Sequence, residues 1–532
     1  MKAAYLLSLL GASTSYGISV GQTVQTTSGP VKGHAATVKN TVSSYFGIPY
    51  AIPPVGALRF MPPIRYYGGS TLEGSKIGHA CPAVPPFGND LSKYNIPLAN
   101  MTAQGVAFVS DIEQVEATFN EDCLHLNVWV PTGGEEKKAV MIWIYGGSYK
   151  SGSTQIGLYD GQHLAAEQDV IVVTLNYRVD ILGFHGDPAS KNQNPGFLDQ
   201  RMAVEWVRDN IASFGGDPSR MILFGQSAGS ASVDSYTYSW PSDPIVSGFI
   251  MESGAAGFGE ELPANNAVGW YDVAATLGCG TNTMASNSEI LSCLQGQDID
   301  ALMAAMGSNS FNPSVDNITG FADYTALSKA GKFAQLPILT GNNDFEAGIY
   351  IPVLALYSQT HYDPTYWQSL NNKTFACPAG VRANVSASHG LPTWRYRWFG
   401  NFPNTRLLTD PDSGAYHCGE IPFVFNTLPT GAGIPEDTEE EISIRKYVQG
   451  AWAAFAKDPK GGLSTYGGGW PQYSPFKETL IRLAYDNVTG TNVVMPEVYD
   501  ATCLTTYPIG QQGGQKESCV ESHLPGLSCV VS

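Results

Sequence analysis

The sequence predicts an α/β protein whose central, mostly parallel sheet is covered by helices on both faces. Two dense runs of β-branched and aromatic residues, AVMIWIY at 139–145 and VIVVTL at 170–175, are apolar enough to be buried central strands. Between 201 and 214 the apolar positions, from Ala203 to Ile211, recur instead at helical spacing. Strands that alternate with helices along the chain favour a parallel sheet with helical crossovers.

Shorter patterns predict the remaining strands in chain order. Residues 18–65 hold short alternating segments broken by Gly and Pro, which is typical of an antiparallel opening with turns. LHLNVWVP at 124–131 alternates as a strand does, and MILF at 221–224 and PILT at 337–340 have the composition of buried strands. These segments extend the predicted sheet on both sides of its apolar centre.

The first 17 residues match a signal peptide. Lys2 supplies the positive start, residues 3–10 form an apolar run too short to span a bilayer, and Ser15 and Gly17 suit a cleavage site near Gly17. We therefore expect 1–17 to be removed and 18–532 to form a single domain. Its last part, from about 500 to 532, is expected to be an irregular extension that contains cysteines. No later stretch is apolar enough for a membrane helix.

Further features of the composition agree with export. The nine cysteines should mostly pair in an oxidising compartment, although the odd number leaves at least one without an intramolecular partner. Five sequons are candidates for N-glycosylation: Asn100, Asn317, Asn372, Asn384 and Asn487. The sequence thus predicts a secreted, extracellular glycoprotein.

The charge balance argues against nucleic acid as a partner. Lys and Arg number 29 against 47 Asp and Glu, and the formal net charge is −18. A protein that binds a phosphate backbone needs a basic patch, and this sequence has no run of basic residues.

The segment Gly225-Gln226-Ser227-Ala228-Gly229 directly follows the strand MILF. G-x-S-x-G between a strand and a helix is typical of a nucleophile elbow, a sharp turn that exposes a serine hydroxyl at the end of the strand. Glycines on both sides let the next helix pass close by, and its N-terminus directs backbone N–H groups at the reacting centre. Ser227 is therefore the candidate nucleophile, although a structural Gly-Ser turn has the same pattern.

A serine hydroxyl needs a base to take its proton and an acid to orient that base. In proteins with this elbow, the acid and then the histidine follow the serine along the chain. Asp344 and Glu346 both follow the strand PILT, and His361, His389 and His417 lie further on. Residue pattern alone leaves these alternatives open.

The sequence resembles the type-B carboxylesterase/lipase family, which includes the cholinesterases and several fungal lipases. The resemblance extends from about residue 28 to about residue 475. It rests on ordered blocks: FGIPYA at 46–51, PPVG at 53–56, EDCL at 121–124, NYR at 176–178, FGGDP at 214–218, FGQSAG at 224–229 and ESG at 252–254. It implies the α/β-hydrolase fold and a secreted serine hydrolase that cleaves carboxylic esters.

The resemblance implies a role for each candidate. The family acid is a glutamate five residues after a strand-ending glycine, here Glu346 after Gly341, and the family base corresponds to His417. Ser253 corresponds to a serine that hydrogen-bonds the acid. The oxyanion hole would be formed by the N–H groups of Gly147, Ser148 and Ala228. Ser148 departs from the family's usual third glycine, and we expect its side chain to narrow the acyl side of the pocket.

The resemblance also implies two disulfides, Cys81–Cys123 and Cys279–Cys293. Cys377 and Cys418 are then left as a plausible third pair, which would hold the loop beside His417. No cysteine or histidine has metal-ligand spacing, so we predict no metal and no cofactor.

Two alternatives accompany the esterase prediction. In a triacylglycerol or sterol-ester lipase, the 81–123 loop, with apolar residues at 96–98, Met101 and 106–109, would be the lid. In a non-catalytic adhesion member of the family, the serine or histidine would be lost, whereas this chain keeps both. The predicted partner is thus a small-molecule or lipid ester.

Overall fold

The computed structural model describes residues 18–84, 100–134, 136–257, 262–353 and 363–503. The predicted signal peptide, the lid candidates at 96–98 and the tail beyond 503 lie outside these ranges. The strands are β1 Thr23–Thr26, β2 Gly29–Lys32, β3 His34–Ala35, β4 Val42–Pro49, β5 His125–Pro131, β6 Lys138–Ile144, β7 Ile171–Leu175, β8 Gly216–Gln226, β9 Gly248–Glu252, β10 Ile338–Asn343, β11 Thr393–Trp398, β12 Leu480–Leu483 and β13 Val493–Val494.

Most of the α-helices lie between the strands from β6 to β12. They are α1 Ala103–Ile112, α2 Gln162–Gln168, α3 Asp180–Gly183, α4 Pro195–Asn210, α5 Ala228–Ser239, α6 Ala267–Thr276, α7 Asn287–Gln295, α8 Ile299–Ala305, α9 Tyr324–Lys329, α10 Pro364–Leu370, α11 Cys377–Ser388, α12 Ile421–Phe425, α13 Glu439–Lys457, α14 Gly462–Thr465 and α15 Glu497–Asp500. Short 3₁₀ helices include Ile211–Phe214, which extends α4, and Glu346–Ile349, which follows β10.

The central sheet has eleven strands in the order β13-β12-β11-β10-β9-β8-β6-β7-β5-β4-β3, and β1 and β2 form a separate hairpin. The seven consecutive strands from β12 to β7 are all parallel to one another. The outer strands β3, β4, β5 and β13 are antiparallel. The predicted parallel sheet with an antiparallel opening is confirmed.

Two helices lie on opposite faces of this sheet. At Gly248 an added Cβ would contact the ring of Phe455 on α13, whereas the next residue, Phe249, packs its ring on Tyr236 of α5. Since successive strand residues point to opposite faces, α13 and α5 cover different sides. The α/β-hydrolase fold expected from the sequence is confirmed.

Three disulfides join described cysteines: Cys81–Cys123, Cys279–Cys293 and Cys377–Cys503. The third pair corrects the expected Cys377–Cys418 pairing, because Cys377 is bonded to the segment after α15. Cys418 keeps a free thiol, and its contact with Gln226 lowers its pKa less than burial raises it. Across the described helices, none has the length and hydropathy of a membrane span.

Candidate active site

Ser227 lies between β8 and α5 in the conformation expected of a nucleophile elbow. Its φ of 57° and ψ of −126° place a non-glycine residue in a region that L-residues rarely occupy. Its N–H donates to the Glu252 carbonyl at 2.8 Å. An unusual backbone conformation held by a neighbouring strand end is typical of a functional residue.

The flanking glycines are required by close contacts. A Cβ on Gly225 would lie 2.6 Å from the Ile144 carbonyl oxygen, and one on Gly229 would overlap the same oxygen. A Cβ on Gly254 would overlap the Ser227 carbonyl. Glycine therefore allows β6, the elbow and the end of β9 to approach one another.

Glu346 and His417 form a buried pair beside the elbow. The ring nitrogen Nδ1 of His417 lies 2.6 Å from Oε2 of Glu346. The main-chain N–H of His417 donates to the main-chain carbonyl of Glu346 at 3.2 Å. Both side chains are buried. In a neutral imidazole whose Nδ1 proton is accepted by the carboxylate, the other ring nitrogen, Nε2, carries a lone pair.

The carboxylate of Glu346 is oriented by its own surroundings. Oε1 of Glu346 accepts from the main-chain N–H of Asn343 at 2.6 Å. The main-chain N–H of Glu346 donates to Oδ1 of Asn371 at 2.8 Å. The rings of Phe375 and Tyr350 lie 4.5 and 5.9 Å from the imidazole of His417. These contacts restrict both members of the pair.

Gln226 connects this pair to the elbow. Its amide nitrogen lies 3.0 Å from Nε2 and 3.4 Å from Nδ1 of His417. Because the two distances are similar, the amide lies beside the ring and not along the in-plane lone pair of Nε2. The Ser227 hydroxyl makes no hydrogen bond with His417 in the described structure, and such bonds are often long before substrate binds.

The proposed oxyanion donors lie in the segment 146–152, which we call the oxyanion loop, and at the start of α5. Gly147 and Ser148 are exposed. The N–H groups of Gly147, Ser148 and Ala228 donate to no other residue within the described ranges. Their hydrogen-bonding capacity is therefore unused in the described structure.

Ser253 does not have the expected role. Its hydroxyl is buried without a hydrogen-bond partner in the described part of the chain, and its N–H donates to the Gly341 carbonyl. The predicted bond to Glu346 is absent from the described structure, in which the two carboxylate oxygens contact the Asn343 N–H and the His417 ring.

The structure also separates the competing candidates. Asp344 pairs with Arg397 at 2.8 Å, and the Nε2 of His389 lies 2.8 Å from the Ser328 carbonyl. Both therefore have other partners, whereas His361 lies outside the described residues. Among the sequons, Asn100 and Asn317 are exposed and Asn372, Asn384 and Asn487 are partly buried.

Two buried acids behind the pair were not predicted as functional. Glu420 accepts from the Asn343 side chain, and Glu252 accepts from Trp452 Nε1 at 2.9 Å. Burial, reinforced by the Glu346 charge, raises the pKa of Glu420 to about 8. Burial and Glu420 raise the pKa of Glu252 well above its usual range. The sequence offered one signal for each acid. Glu252 ends the strand β9 beside the elbow, and Glu420 lies three residues after His417.

Comparisons with known proteins agree with this architecture. The profile of the carboxylesterase family matches residues 20–361 and 356–499. The chain is 34% identical over 457 residues to a chlorogenic acid esterase of Aspergillus niger, which covers 83% of this chain and 84% of that protein. It is 32% identical over 498 residues to secreted lipase 5 of Gibberella zeae, and this alignment covers 87% of this chain and 90% of that protein.

A bacterial relative extends the similarity beyond fungi. The para-nitrobenzyl esterase of Bacillus subtilis is 32% identical over 502 residues, which covers 86% of this chain and 94% of that protein. With the family profile spanning most of the sequence, the chain belongs to the carboxylesterase family and is a carboxylic ester hydrolase.

Proposed function

We propose that Ser227, His417 and Glu346 form the catalytic triad and hydrolyse carboxylic esters through an acyl-enzyme. The observation that carries this proposal is the buried His417–Glu346 contact of 2.6 Å, which Gln226 links to the strained elbow at Ser227. An oriented base near a partly exposed serine is the arrangement that nucleophilic acyl transfer needs.

In the first step, Nε2 of His417 takes the hydroxyl proton as Oγ of Ser227 attacks the ester carbonyl. The carbonyl oxygen becomes an oxyanion held by the N–H groups of Gly147, Ser148 and Ala228. The tetrahedral intermediate collapses, and His417 gives its proton to the departing alcohol. Water then attacks the acyl-enzyme with His417 as base, which releases the acid and restores Ser227. Glu346 stabilises the imidazolium formed in each step.

We further propose that the mature enzyme is a secreted single domain of residues 18–532, with 1–17 as its signal peptide. The name of secreted lipase 5 and the three disulfides support export. Among the five sequons, we expect N-glycosylation first at Asn100 and Asn317, because these two asparagines are exposed. The partner is an ester substrate, and no metal or cofactor takes part in the proposed steps.

For substrate class we favour a soluble ester over a lipid at an interface. Helix α1, in the loop that would be the lipase lid, is hydrogen-bonded at both ends to the body of the enzyme. Thr102 donates its N–H to the Leu407 carbonyl at 2.9 Å, and Asp111 accepts from the Gly157 and Leu158 N–H groups at 3.0 and 3.2 Å. The chlorogenic acid esterase makes chlorogenic acid a natural candidate to test.

The test is hydrolysis of nitrophenyl esters with acyl chains from two to sixteen carbons, and of chlorogenic acid, with Ser227→Ala as blank. We expect Ser227→Ala to remain folded and to lose at least about 10⁴-fold in kcat. We expect a preference for short acyl chains, in line with Ser148 crowding the acyl side. Full activity of Ser227→Ala would refute the triad, and a long-chain optimum that rises at an interface would favour the lipase alternative.

A further inference from the structure

The oxyanion loop has an unusual backbone. Gly147, Ser148, Tyr149 and Gly152 have φ values of 107°, 56°, 61° and 109°. Two of the four are not glycine, and such conformations cost free energy for L-residues. They persist only where the surroundings hold them. The geometry of the oxyanion donors therefore depends on contacts outside the donor residues.

Ring contacts and hydrogen bonds hold the loop from outside, and the ring of Tyr149 packs on Phe184 and Phe197 at 5.1 and 5.8 Å. Within it, the N–H groups of Lys150 and Ser151 donate to the Gly147 carbonyl at 2.9 and 3.1 Å. From outside, the Asp180 N–H donates to the Tyr149 carbonyl at 2.7 Å. The Gly152 N–H donates to Oε1 of Gln114 at 2.6 Å. Gln114 thus bonds the residue at which the oxyanion loop ends.

The burial and the backbone conformation of Gln114 fix its side chain in this contact. The residue is only 3% exposed, and its own φ of 58° is left-handed. While Oε1 accepts from Gly152, Nε2 donates to the Ser153 hydroxyl at 2.8 Å. The oxygen and the nitrogen of its amide therefore bond two consecutive residues, Gly152 and Ser153, at the end of the oxyanion loop.

The segment that carries Gln114 is also attached to the side of the site that bears the histidine. Gln104 donates to the Pro403 carbonyl at 2.7 Å, and the ring of Phe108 lies 5.3 Å from that of Tyr416, the residue before His417. We call residues 101–118 the strap. It connects the chain around His417 with the end of the oxyanion loop.

Packing alone does not hold the strap at its C-terminal end. A cavity of about 260 Å³ remains between this end of α1 and the segment 153–156, lined in part by Ala107, Val115 and Ile156. Where side chains leave a void, dispersion contacts are lost. The hydrogen bonds of Asp111 and Gln114 therefore contribute to the attachment here, together with those between Thr118 and Gln155.

We propose that Gln114 is a positioning residue that sets the geometry of the oxyanion hole by holding the N–H of Gly152. This rests on the proposed function, in which Gly147 and Ser148 are oxyanion donors. Gln114 acts through the loop and touches no reacting atom. Its loss should therefore weaken transition-state stabilisation more than ground-state binding.

The experiment compares Gln114→Met with Gln162→Met. The first keeps the volume of the side chain and removes both amide contacts. The second is the matched control, because Gln162 is also 3% exposed and uses both ends of its amide, on residues outside the strap and the oxyanion loop: Thr37, Val38, Lys39 and Asp160. Readouts are kcat and KM for nitrophenyl acetate, the rate of covalent labelling by a nitrophenyl phosphonate, and the midpoint of thermal unfolding.

For Gln114→Met we expect kcat and the labelling rate to fall about 10- to 100-fold, because loss of an oxyanion donor typically costs about 100- to 1000-fold. We expect KM to change less than about threefold, and Gln162→Met to keep wild-type kcat. Equal losses in both variants, or wild-type kcat in Gln114→Met, would overturn the proposal.

Gln114→Glu keeps an acceptor for the Gly152 N–H and guards against a variant that does not fold. We expect it to retain kcat within about fivefold of wild type at pH 6, and a loss as large as that of Gln114→Met would contradict the proposal. Failure of the triad itself is recognised separately, as activity that survives Ser227→Ala.

Discussion

At the scale of single residues, Glu346 and Asp344 illustrate how position decides the role of an acid. Both follow β10, but the Asp344 side chain is 39% exposed and pairs with Arg397, whereas the Glu346 side chain is fully buried against His417. An exposed ion pair contributes little to stability or orientation. A buried carboxylate next to imidazole instead stabilises the cation that forms when the base takes a proton.

We therefore expect Glu346→Gln to lower kcat by about 10⁴-fold while the fold is kept. The amide has the same shape, but it can donate to Nδ1 of His417 and so favours the wrong tautomer. The measurement is kcat for nitrophenyl acetate, with Asp344→Asn as the matched control. If Asp344→Asn lost more activity than Glu346→Gln, the assignment of the acid would be wrong.

Residue pattern predicted the serine and narrowed the acid and the base, and the family resemblance then selected Glu346 and His417. The partners of these side chains could not be predicted. Ser253 was expected to bond the acid, but the Asn343 N–H does so because the turn after β10 folds back on the carboxylate. Contacts of this kind depend on loop geometry, which strand and helix periodicity does not encode.

At the scale of elements, the third disulfide ties the start of α11 to the chain just after α15. Cys377 and Cys503 are 126 residues apart in the sequence. The expected partner, Cys418, has a pKa raised well above its usual value by burial and the neighbouring Glu420. Cysteine counts leave pairing undetermined, because each added cysteine multiplies the possible connectivities.

We expect the double substitution Cys377→Ser/Cys503→Ser to lower the free energy of unfolding by about 2–5 kcal/mol. A cross-link that closes a long loop removes conformations from the unfolded chain. Chemical unfolding measures the change, and Cys418→Ser is the control because its thiol forms no disulfide within the described residues. A Cys377–Cys418 link found by peptide mapping of the wild type would contradict the pairing.

At the scale of the whole molecule, the parallel order of the sheet was predictable because its central strands are apolar throughout. The elements that form the walls of the site could not be predicted. The strap, for example, has no hydrophobic periodicity that distinguishes a mobile lid from a fixed wall. Its long-range bonds, such as those to Leu407 and Gly157, make the difference. Insertions between core elements are determined by long-range contacts, so their role emerges only in the folded structure.

The buried acids also give the whole molecule a characteristic pH dependence. Besides Glu420 and Glu252, burial raises the pKa of Asp180 and of Glu113 to about 7. An acid with a raised pKa holds more protons in the folded than in the unfolded state, so stability falls as pH rises through this range. Burial acts oppositely on His185, lowering its pKa to about 4, so the contribution of His185 alone is lost as pH falls below about 6 and opposes the gain from the acids.

Glu420 provides the sharpest test of this balance. Its folded pKa of about 8 lies above the ordinary value of 4.5, so wild type should lose stability relative to Glu420→Gln as pH rises from 5 to 8. The difference should grow by at most about 1.4 kcal/mol per pH unit and level off above pH 8. Thermal or denaturant unfolding at several pH values measures it, with the exposed Glu478→Gln as control. Parallel pH curves for wild type and Glu420→Gln would mean that Glu420 titrates alike in the folded and unfolded states.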